Sequence, residues 1–481
     1  MTDAPDDDAP SPWPAFLVCA AVISATTLDL TKINVALPAI DRALGATDAQ
    51  LQLLVTGFIL AFGLTLVPAG RLGDTRSRKA VLTIGLTLFG IASLLCALAP
   101  SIEAVIVGRI LQGVAAGTQM PQALGLVQQL FVGRAHARAF GHVGGIIAVS
   151  TAIGPAIGGA LTQADPAFGW RLMFGVNVPI AVAVLIGIRL TIPERPRSTS
   201  VPRMDIVGLL LFSVACVCTL LPFLEIDSVS AGPLRWLWLL GSAASGTAFA
   251  LWERRLESSG GAPVLPSALL GLPSFRNGLL VMLAFFAGIT SVFLVLAMFL
   301  QQARGASALA AGLVNIPQAV TSACGAWVGA RLVLRSGRRV VAAGIALAVI
   351  GVTTLVPVVQ FTPAATTPLL SALTLAVAGA GTGLAMSPNQ TITVHRVPDA
   401  FAGVAASLTQ VAQRVGMALG VAVATAVYFA VLGADPAPSD HTGAMVASLI
   451  AAVAMLTISL LLALFDVWTG RASPGIVLDT E

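Results

Sequence analysis

The sequence predicts an all-α integral membrane protein with fourteen membrane-spanning helices. Of its 481 residues, 57% are hydrophobic and only 10% are charged, and the mean hydropathy is +0.91. Soluble domains average about 45–50% apolar and about 25% charged residues, so too little polar surface remains here to coat a water-soluble body. The composition also excludes a disordered chain and an outer-membrane barrel, whose alternating strands would not raise mean hydropathy this far.

Fourteen apolar segments are each long enough to cross a hydrocarbon core of about 30 Å as a helix. They are preceded by a polar tail, residues 1–12, and the first segment is too long for the apolar core of a signal peptide. The segments lie at 13–37, 51–71, 80–99, 103–130, 139–163, 171–191, 205–224, 234–252, 277–300, 308–333, 340–361, 367–394, 401–432 and 443–466.

The basic residues predict the orientation of these spans. Nineteen of the 26 Lys and Arg residues fall in the segments on the side of the termini, and four fall on the opposite side. Because an excess of Lys and Arg marks the cytoplasmic face, the sequence predicts a multi-pass protein of the cytoplasmic membrane with both termini in the cytoplasm. The remaining three basic residues, Lys32, Arg109 and Arg414, lie inside spans.

Other function classes find little support. The five cysteines all lie in apolar segments and indicate no disulfide framework. The chain lacks a metal-ligand cluster, a nucleophile arrangement, a phosphate loop and a long basic run, so we expect neither an enzyme nor a metal, nucleotide or nucleic-acid partner. The expected partners are the lipid bilayer and a small molecule, and the protein is expected to be a monomer.

An internal repeat divides the chain into halves. GRLGDTRSRK at 70–79 resembles ARLVLRSGRR at 330–339, an offset of 260, and three glycines of the fifth span recur in the thirteenth at an offset of 262. The pattern predicts six-helix bundles at 13–191 and 277–466, a linker at 192–276 that carries two inserted spans, and a cytoplasmic tail at 467–481. Such symmetry is typical of secondary transporters, whose substrates bind between the halves.

Five motifs, in order along the first half, resemble the major facilitator superfamily and, within it, the fourteen-span drug:proton antiporters. They are Asp29-x-Thr31-x-x-Asn34-Val35-Ala36-Leu37-Pro38, the 70–79 loop, Arg109-x-x-Gln112-Gly113, Gly154-Pro155-x-x-Gly158-Gly159 and Trp170-Arg171…Phe174…Asn177-x-Pro179. The resemblance implies the major facilitator fold and export driven by a proton gradient, without a cofactor. The chain departs from the pattern at Thr75 and Ser77, and at Lys32, where the family usually has an apolar residue.

The resemblance also implies gating roles. Asp74 is expected to contact the cytoplasmic end of the thirteenth helix in the outward-facing state and to leave it when the halves rock; the alternative is that the loop simply anchors the chain on the cytoplasmic side. The glycine–proline motif of the fifth span would allow close helix packing and a bend between the halves. The predicted gating residues are Gly70, Asp74, Arg78, Lys79, Gly154, Pro155, Gly158 and Gly159.

Asp29 is the one carboxylate well inside a span. Asp29 and Arg109 both fall roughly 10–12 Å below the outer surface at 1.5 Å per residue, so they are positioned to pair. Charges within spans are costly and usually functional, and a proton antiporter needs an acid that alternates between a proton and another partner. We therefore predict that Asp29 is the proton site and that Arg109 modulates it; the alternative is a static structural ion pair.

Lys32 follows Asp29 by three residues, so both face nearly the same way. The sequence leaves three interpretations open for this lysine. It neutralises Asp29, it presents a positive charge to a substrate, or its amine extends to the outer surface while its carbon chain stays in the apolar region.

Arg414 lies mid-span in the thirteenth segment and acts as a fixed charge, because arginine does not deprotonate in proteins. Three buried bases against one acid predict a basic cavity, which favours an anionic, zwitterionic or neutral amphiphile over a lipophilic cation. The predicted cavity residues are Lys32, Asn34, Gln52, Gln112, Asn315, Gln318, Asn389, Gln410, Gln413 and Arg414, and the uncharged ones fit helix–helix contacts equally well.

The predicted function is proton-coupled export of a small amphiphilic compound, such as a drug, an antibiotic or a natural product, by alternating access. The alternative within the same fold is translocation of a lipid, a fatty-acyl compound or another anionic amphiphile. A laterally open groove would distinguish the lipid translocator from the exporter.

Overall fold

The computed structural model describes residues 12–75, 77–131, 133–165, 168–193, 205–224, 233–261, 263–398, 402–432 and 438–470, and all regular structure in this part of the chain is helical. The predicted tails, 1–12 and 467–481, fall largely outside these ranges. The first half comprises α1 (Trp13–Lys32), a 3₁₀ turn (Ile33–Val35), α2 (Leu37–Leu44), α3 (Asp48–Thr75), α4 (Arg78–Leu98), α5 (Ile102–Leu130), α6 (Gly133–Ala164), α7 (Gly169–Gly175) and α8 (Asn177–Thr191).

The rest of the chain continues with two helices between the halves and then the second half. The intervening helices are α9 (Ile206–Leu224) and α10 (Leu237–Ser258), the second preceded by a 3₁₀ turn (Pro233–Trp236). The second half comprises α11 (Ser267–Leu270), α12 (Pro273–Gln302), α13 (Ala308–Leu313), α14 (Ile316–Ser336), α15 (Arg338–Phe361), α16 (Thr367–His395), α17 (Ala402–Leu432) and α18 (Pro438–Gly470).

Each of the fourteen predicted segments coincides with a helix or with two consecutive helices. Among the described residues, ten helices are long and apolar enough to cross a membrane, and α9 is a shorter apolar helix. Among the remaining predicted spans, α5 is more polar because it carries an arginine and glutamines that are buried against other helices. The count of fourteen spans therefore stays a prediction.

Two large apolar clusters form, one centred on each half, and the first extends across to residues of α12 and α17. In the first half, α1 packs on α5 and α6, and α4 packs on α5 and α8; in the second, α16 lies between α14 and α15, and α12 packs on α17 and α18. Large buried side chains such as Phe58, Phe62 and Trp170 fill the first core, and Phe285, Phe299 and others fill the second.

The glycines of the internal repeat occupy equivalent contacts in the two halves. A β-carbon at Gly158 of α6 would lie 2.5 Å from the carbonyl oxygen of Lys32 at the end of α1. In the second half, β-carbons at Gly416 and Gly420 of α17 would collide with carbonyl oxygens of α12. The absence of a side chain thus lets the fifth helix of each half approach the first helix of that half.

The halves meet along two seams. In one, α3 lies against α17: the Gln52 amide donates to the Ala422 carbonyl at 2.7 Å, and a β-carbon at Gly63 would lie 2.8 Å from the Arg414 β-carbon. In the other, α6 lies against α13 and α14, with Gly159 seated on the backbone of Ala308. The α9–α10 hairpin covers the first seam, because α9 contacts both α3 and α17.

A buried acidic pair fixes the inner end of this hairpin. Asp205 and Glu253 direct carboxyl oxygens to the same point beside Gly208, and Glu253 also accepts hydrogen bonds from the backbone of Val264 and Leu265. Asp205 accepts from the Trp252 indole at 2.8 Å. Arg71 is close enough to interact electrostatically with both acids and donates to the Pro263 carbonyl at 2.5 Å. The pair thus ties the hairpin to α3 and to the link before α11.

Glu253 predicts a pH dependence of stability. Burial and the adjacent Asp205 raise its pKa from 4.5 to about 7. A carboxyl group whose pKa is higher in the folded state favours folding at low pH, so this contribution is present below about 4.5 and is lost as the pH rises through 7. We expect the melting temperature of the purified protein to fall between pH 5 and pH 8, and Glu253→Gln to flatten that slope. Glu257→Gln, one turn further along α10, is the control; equal slopes in all three proteins would contradict the assignment.

Candidate functional site

The buried centre of the first half forms where α1, α5 and α8 meet. Asp29 and Arg109 are both fully buried, and the Arg109 Nη1 atom lies 2.6 Å from the Asp29 Oδ2 atom. The guanidinium group also stacks over the Phe58 ring, 4.0 Å from its centroid. The predicted pairing of these two residues is confirmed, because their depths on oppositely directed helices place them at the same level.

Lys32 completes the centre. Its Nζ atom lies 3.0 Å from the Asp29 Oδ1 atom and donates to the Asn177 Oδ1 atom at 2.7 Å. The side chain is about 4% exposed, so its amine does not extend to the outer surface. Of the three interpretations that the sequence left open, the structure has the one in which Lys32 pairs with Asp29.

A second layer of polar groups orients this centre. The Asn177 amide donates to the Asp29 Oδ1 atom at 2.7 Å and to the Ser93 hydroxyl at 3.2 Å. Gln112 accepts from Arg109 at 3.1 Å and donates to the same hydroxyl at 2.8 Å. The motifs of the first, fourth and sixth spans thus form one hydrogen-bonded network. The sequence placed Asn177 in the sixth-span motif and among the polar residues that could line a cavity, but it did not predict the contacts of Asn177 with Asp29 and Lys32.

The electrostatics of the centre are unbalanced. One carboxylate faces one arginine and one lysine, so the fully ionised centre carries a net charge of +1 away from water. Taking a charge out of water costs several kcal/mol per ion unless it is paired. Such an arrangement is stable in one conformation and sensitive to any change in protonation or solvent access, which is the property a coupling site requires.

Arg414 is a second buried cation, in α17 at the seam with α3. It is 8% exposed, its guanidinium stacks on the Phe62 ring at 4.3 Å, and its Nη1 atom lies 3.3 Å from the Met417 sulfur. Its Nε atom has no hydrogen-bond partner among the described residues, and no carboxylate there forms an ion pair with it. The role of Arg414 as a fixed positive charge for a substrate stays a prediction.

The other predicted cavity residues divide into two groups. Gln52, Gln112 and Asn389 make hydrogen bonds between helices, the role the sequence also allowed for them. The remainder have a buried or half-buried side chain that forms no such cross-helix bond among the described contacts: Asn34, Asn315, Gln318, Gln410 and Gln413. Their assignment to a substrate cavity remains a prediction.

A cavity of about 510 Å³ lies between the halves on the predicted outer side. None of the predicted cavity residues lines it. Its walls come from α2, the end of α6, the end of α12 and the start of α13, and include Arg42, Gln163, Gln301, Gln302 and Ser307. The sequence missed this site because its residues lie at helix ends and in short links, where polar side chains are common and carry no distinctive signal.

The predicted gating residues lie at helix contacts. Arg78 donates to the Pro121 carbonyl of α5 at 3.4 Å, and Lys79 donates to the Ile192 carbonyl after α8 at 2.6 Å. Gly70 faces Ser407 of α17. The Asp74 side chain lies outside the described residues. The fifth-span motif packs as predicted: Gly154 on α1, Gly158 on Lys32, Gly159 on Ala308, and Pro155 against Gly312.

Known proteins resemble the chain over most of its length. A sequence profile described as "Major Facilitator Superfamily" matches residues 17–421. The "Probable actinorhodin transporter" of Streptomyces coelicolor is 34% identical over 92% of this chain and 77% of its own length. The "Puromycin resistance protein pur8" of Streptomyces alboniger is 34% identical over 89% of this chain and 85% of its own.

Solved structures agree with the fold. A bacterial homologue of the human lysosomal transporter Spinster, crystallised in an inward-facing, unoccupied conformation, aligns with a TM-score of 0.68 at 18% identity. The alignment covers 96% of this chain and 98% of that one. At this identity the likeness concerns the fold alone.

Proposed function

The chain belongs to the Major Facilitator Superfamily, and on that premise we propose that it is a proton-coupled antiporter that exports small amphiphilic compounds across the cytoplasmic membrane. Its curated relatives carry names of antibiotic transport and resistance: actinorhodin, puromycin and, for a further Streptomyces protein, tetracenomycin C. These names support an antibiotic or a related natural product as substrate. The proposal includes fourteen spans with both termini in the cytoplasm, for which the positive-inside bias is the support.

The observation that carries proton coupling is the buried centre around Asp29. A stable structural pair needs one acid and one base, whereas this centre has an acid, an arginine and a lysine within about 3 Å contacts. Because a change of one proton or of water access alters its balance, the centre can link proton movement to the rocking of the halves. This link is supported by the contacts of α6, which touches both α1, the helix of Asp29, and α13 of the other half.

The function is tested with purified protein in liposomes that have an acidic lumen. We expect ethidium, a permanent cation, or anilinonaphthalene sulfonate, a permanent anion, to accumulate in the lumen as protons leave it. Because both dyes carry a permanent charge, neither can cross the bilayer as a neutral form and accumulate in response to the pH gradient without a transporter. Collapsing the gradient with nigericin should abolish accumulation, and protein-free liposomes are the control. Uptake of neither dye, nor of puromycin, under a confirmed gradient would contradict the proposal.

Arg414 predicts a preference for anions. A hydrogen bond to a charged group contributes about 1.5–3 kcal/mol, so Arg414→Gln should weaken binding of the anionic dye by about tenfold or more. Binding of ethidium should be unchanged or slightly tighter. Arg331→Gln, at an exposed arginine of α14 that stacks on Trp327, is the matched control, and fluorescence titration gives both affinities. Equal losses for the two dyes would rule out a basic cavity.

Lipid translocation is the less well supported alternative. A translocator of long acyl chains needs a lateral opening between the halves. Here the seam between α3 and α17, beside Arg414, is covered by α9, and the other seam is closed on the outer side by α6 and α13. Transfer of a fluorescent phospholipid between leaflets of the same liposomes, without dye export, would favour the translocator instead.

A further inference from the structure

We infer that Lys32, rather than Asp29, is the group that releases and rebinds the transported proton at the buried centre. The inference rests on the proposed function and deepens it. It starts from the contacts of Asp29, Lys32, Arg109 and Asn177, in which donors and acceptors can be counted atom by atom.

The surroundings of Asp29 suit an ionised carboxylate. Its Oδ2 atom accepts from Arg109, and its Oδ1 atom accepts from Asn177 and faces the Lys32 amine. Every neighbour that contacts the carboxyl oxygens is a donor. A carboxylic proton would therefore meet a donor hydrogen and displace one of these bonds, because a protonated acid needs an acceptor for its own O–H.

The surroundings of Lys32 suit a neutral amine better than an ammonium group. Its Nζ atom faces two acceptors among the described residues, the Asp29 Oδ1 and the Asn177 Oδ1 atoms. A neutral amine has two N–H groups and satisfies both, whereas the third N–H of an ammonium group has no acceptor in this part of the structure. An unpaired buried donor costs about 1–3 kcal/mol, and more when it is charged.

Charge balance points the same way. With Lys32 protonated the centre carries a net charge of +1, and loss of one proton leaves a neutral Asp29–Arg109 pair. Arg109 does not release that proton, because its guanidinium stays charged in proteins. The nearest other titratable group is the Cys96 thiol, which faces the Val105 carbonyl and Gln112 and contributes no charge while protonated. Protonating Asp29 would instead raise the net charge to +2.

Lys32 is also the member of the centre that touches the moving parts. It ends α1, and its backbone carbonyl is covered by Gly158 of α6. The next residue, Gly159, rests on Ala308 of the other half. Parting of α6 from α13 would admit outside water to Lys32, which takes up a proton there as a hydrated ammonium ion. Closure of this side and opening of the cytoplasmic side would release that proton to the cytoplasm and leave the neutral amine, so that the proton crosses the membrane.

The charge state of Lys32 can be observed directly, because the chain has only two lysines, Lys32 and Lys79. In Lys79→Arg protein labelled with ¹³Cε,¹⁵Nζ-lysine and embedded in lipid, solid-state NMR reports Lys32 alone. We expect a neutral-amine signal that converts to ammonium on acidification. In the Arg109→Gln variant the lysine becomes the single cation beside Asp29, so its signal should stay that of ammonium. Two results would overturn the inference: an ammonium signal at every pH in Lys79→Arg protein, or the same titration of Lys32 with and without the Arg109→Gln substitution.

Transport gives the second test. Lys32→Arg keeps a positive charge but cannot release a proton, so we expect gradient-driven accumulation to fall at least tenfold while dye exchange across liposomes without a gradient persists. Lys32→Met should also lose the gradient response and keep exchange. Wild-type accumulation in Lys32→Arg would overturn the inference. If the native protein shows no gradient-driven transport although Lys32 titrates, the proposed function is wrong. The assignment of Lys32 as the titrating group would still hold.

Discussion

Asp29→Asn is expected to abolish accumulation driven by a pH gradient. The substitution leaves Arg109 and Lys32 buried without an anion, and removing one partner from a buried ion pair costs about 3–5 kcal/mol. The two cations then repel each other, Lys32 is held as a neutral amine, and no proton is released or bound during the cycle. Dye accumulation in acid-lumen liposomes should fall at least tenfold.

Loss of folding must be separated from loss of coupling in this variant. The double variant Asp29→Asn with Lys32→Met removes the buried amine that must otherwise stay unprotonated beside Arg109, so its melting temperature should recover part of the loss without any recovery of gradient-driven transport. Asp41→Asn, an acid on α2 away from the centre, should transport normally. Gradient-driven accumulation at the native rate by Asp29→Asn would show that the centre is a static ion pair.

Gly159→Val is expected to have the second-largest effect, on the closure of the outer side. A β-carbon at this position would lie 2.5 Å from the Ala308 carbonyl oxygen on α13. Overfilling a packed contact usually costs about 1–3 kcal/mol. Here the added side chain destabilises only the conformation in which α6 and α13 touch. The variant should therefore favour separation of the two halves on the outer side and reduce transport by at least tenfold.

Spin labels measure this change directly. Gln163 and Gln302 both line the outer cavity and are exposed, so labels there report the distance between the halves. We expect Gly159→Val to shift the distance distribution to longer values. Gly145→Ala on the same helix is the control, because a β-carbon there has nothing within 4 Å. An unchanged distribution together with normal transport would refute a gating role for the glycine motif.

The sequence anticipated those parts of the site that depend on depth within the bilayer. Asp29 and Arg109 were expected at one level because helical rise converts residue count into height. Arg414 was expected as a fixed positive charge in the middle of a span, because arginine does not deprotonate in proteins. The positions of the apolar helices were predictable because the length of an apolar segment is a local property of the chain.

The Asp205–Glu253 pair was not anticipated. Its members are separated by 48 residues, each at the end of a different inserted helix, and each reads as an ordinary loop acid. Their contact depends on how α9 and α10 pack together and how the hairpin lies on α3. The outer cavity escaped prediction similarly, because four separate helix ends contribute to its wall.

The sequence by itself determined that this is a helical membrane protein, where its apolar helices lie, and that Asp29, Lys32, Arg109 and Arg414 are buried. These follow from hydropathy, spacing and the cost of charge in hydrocarbon, all of which are read along one chain. Only the tertiary structure decided what Lys32 contacts. Three interpretations were open because helix rotation and the position of Asn177 on α8 are set by packing between helices, and packing brings together residues that lie 145 positions apart.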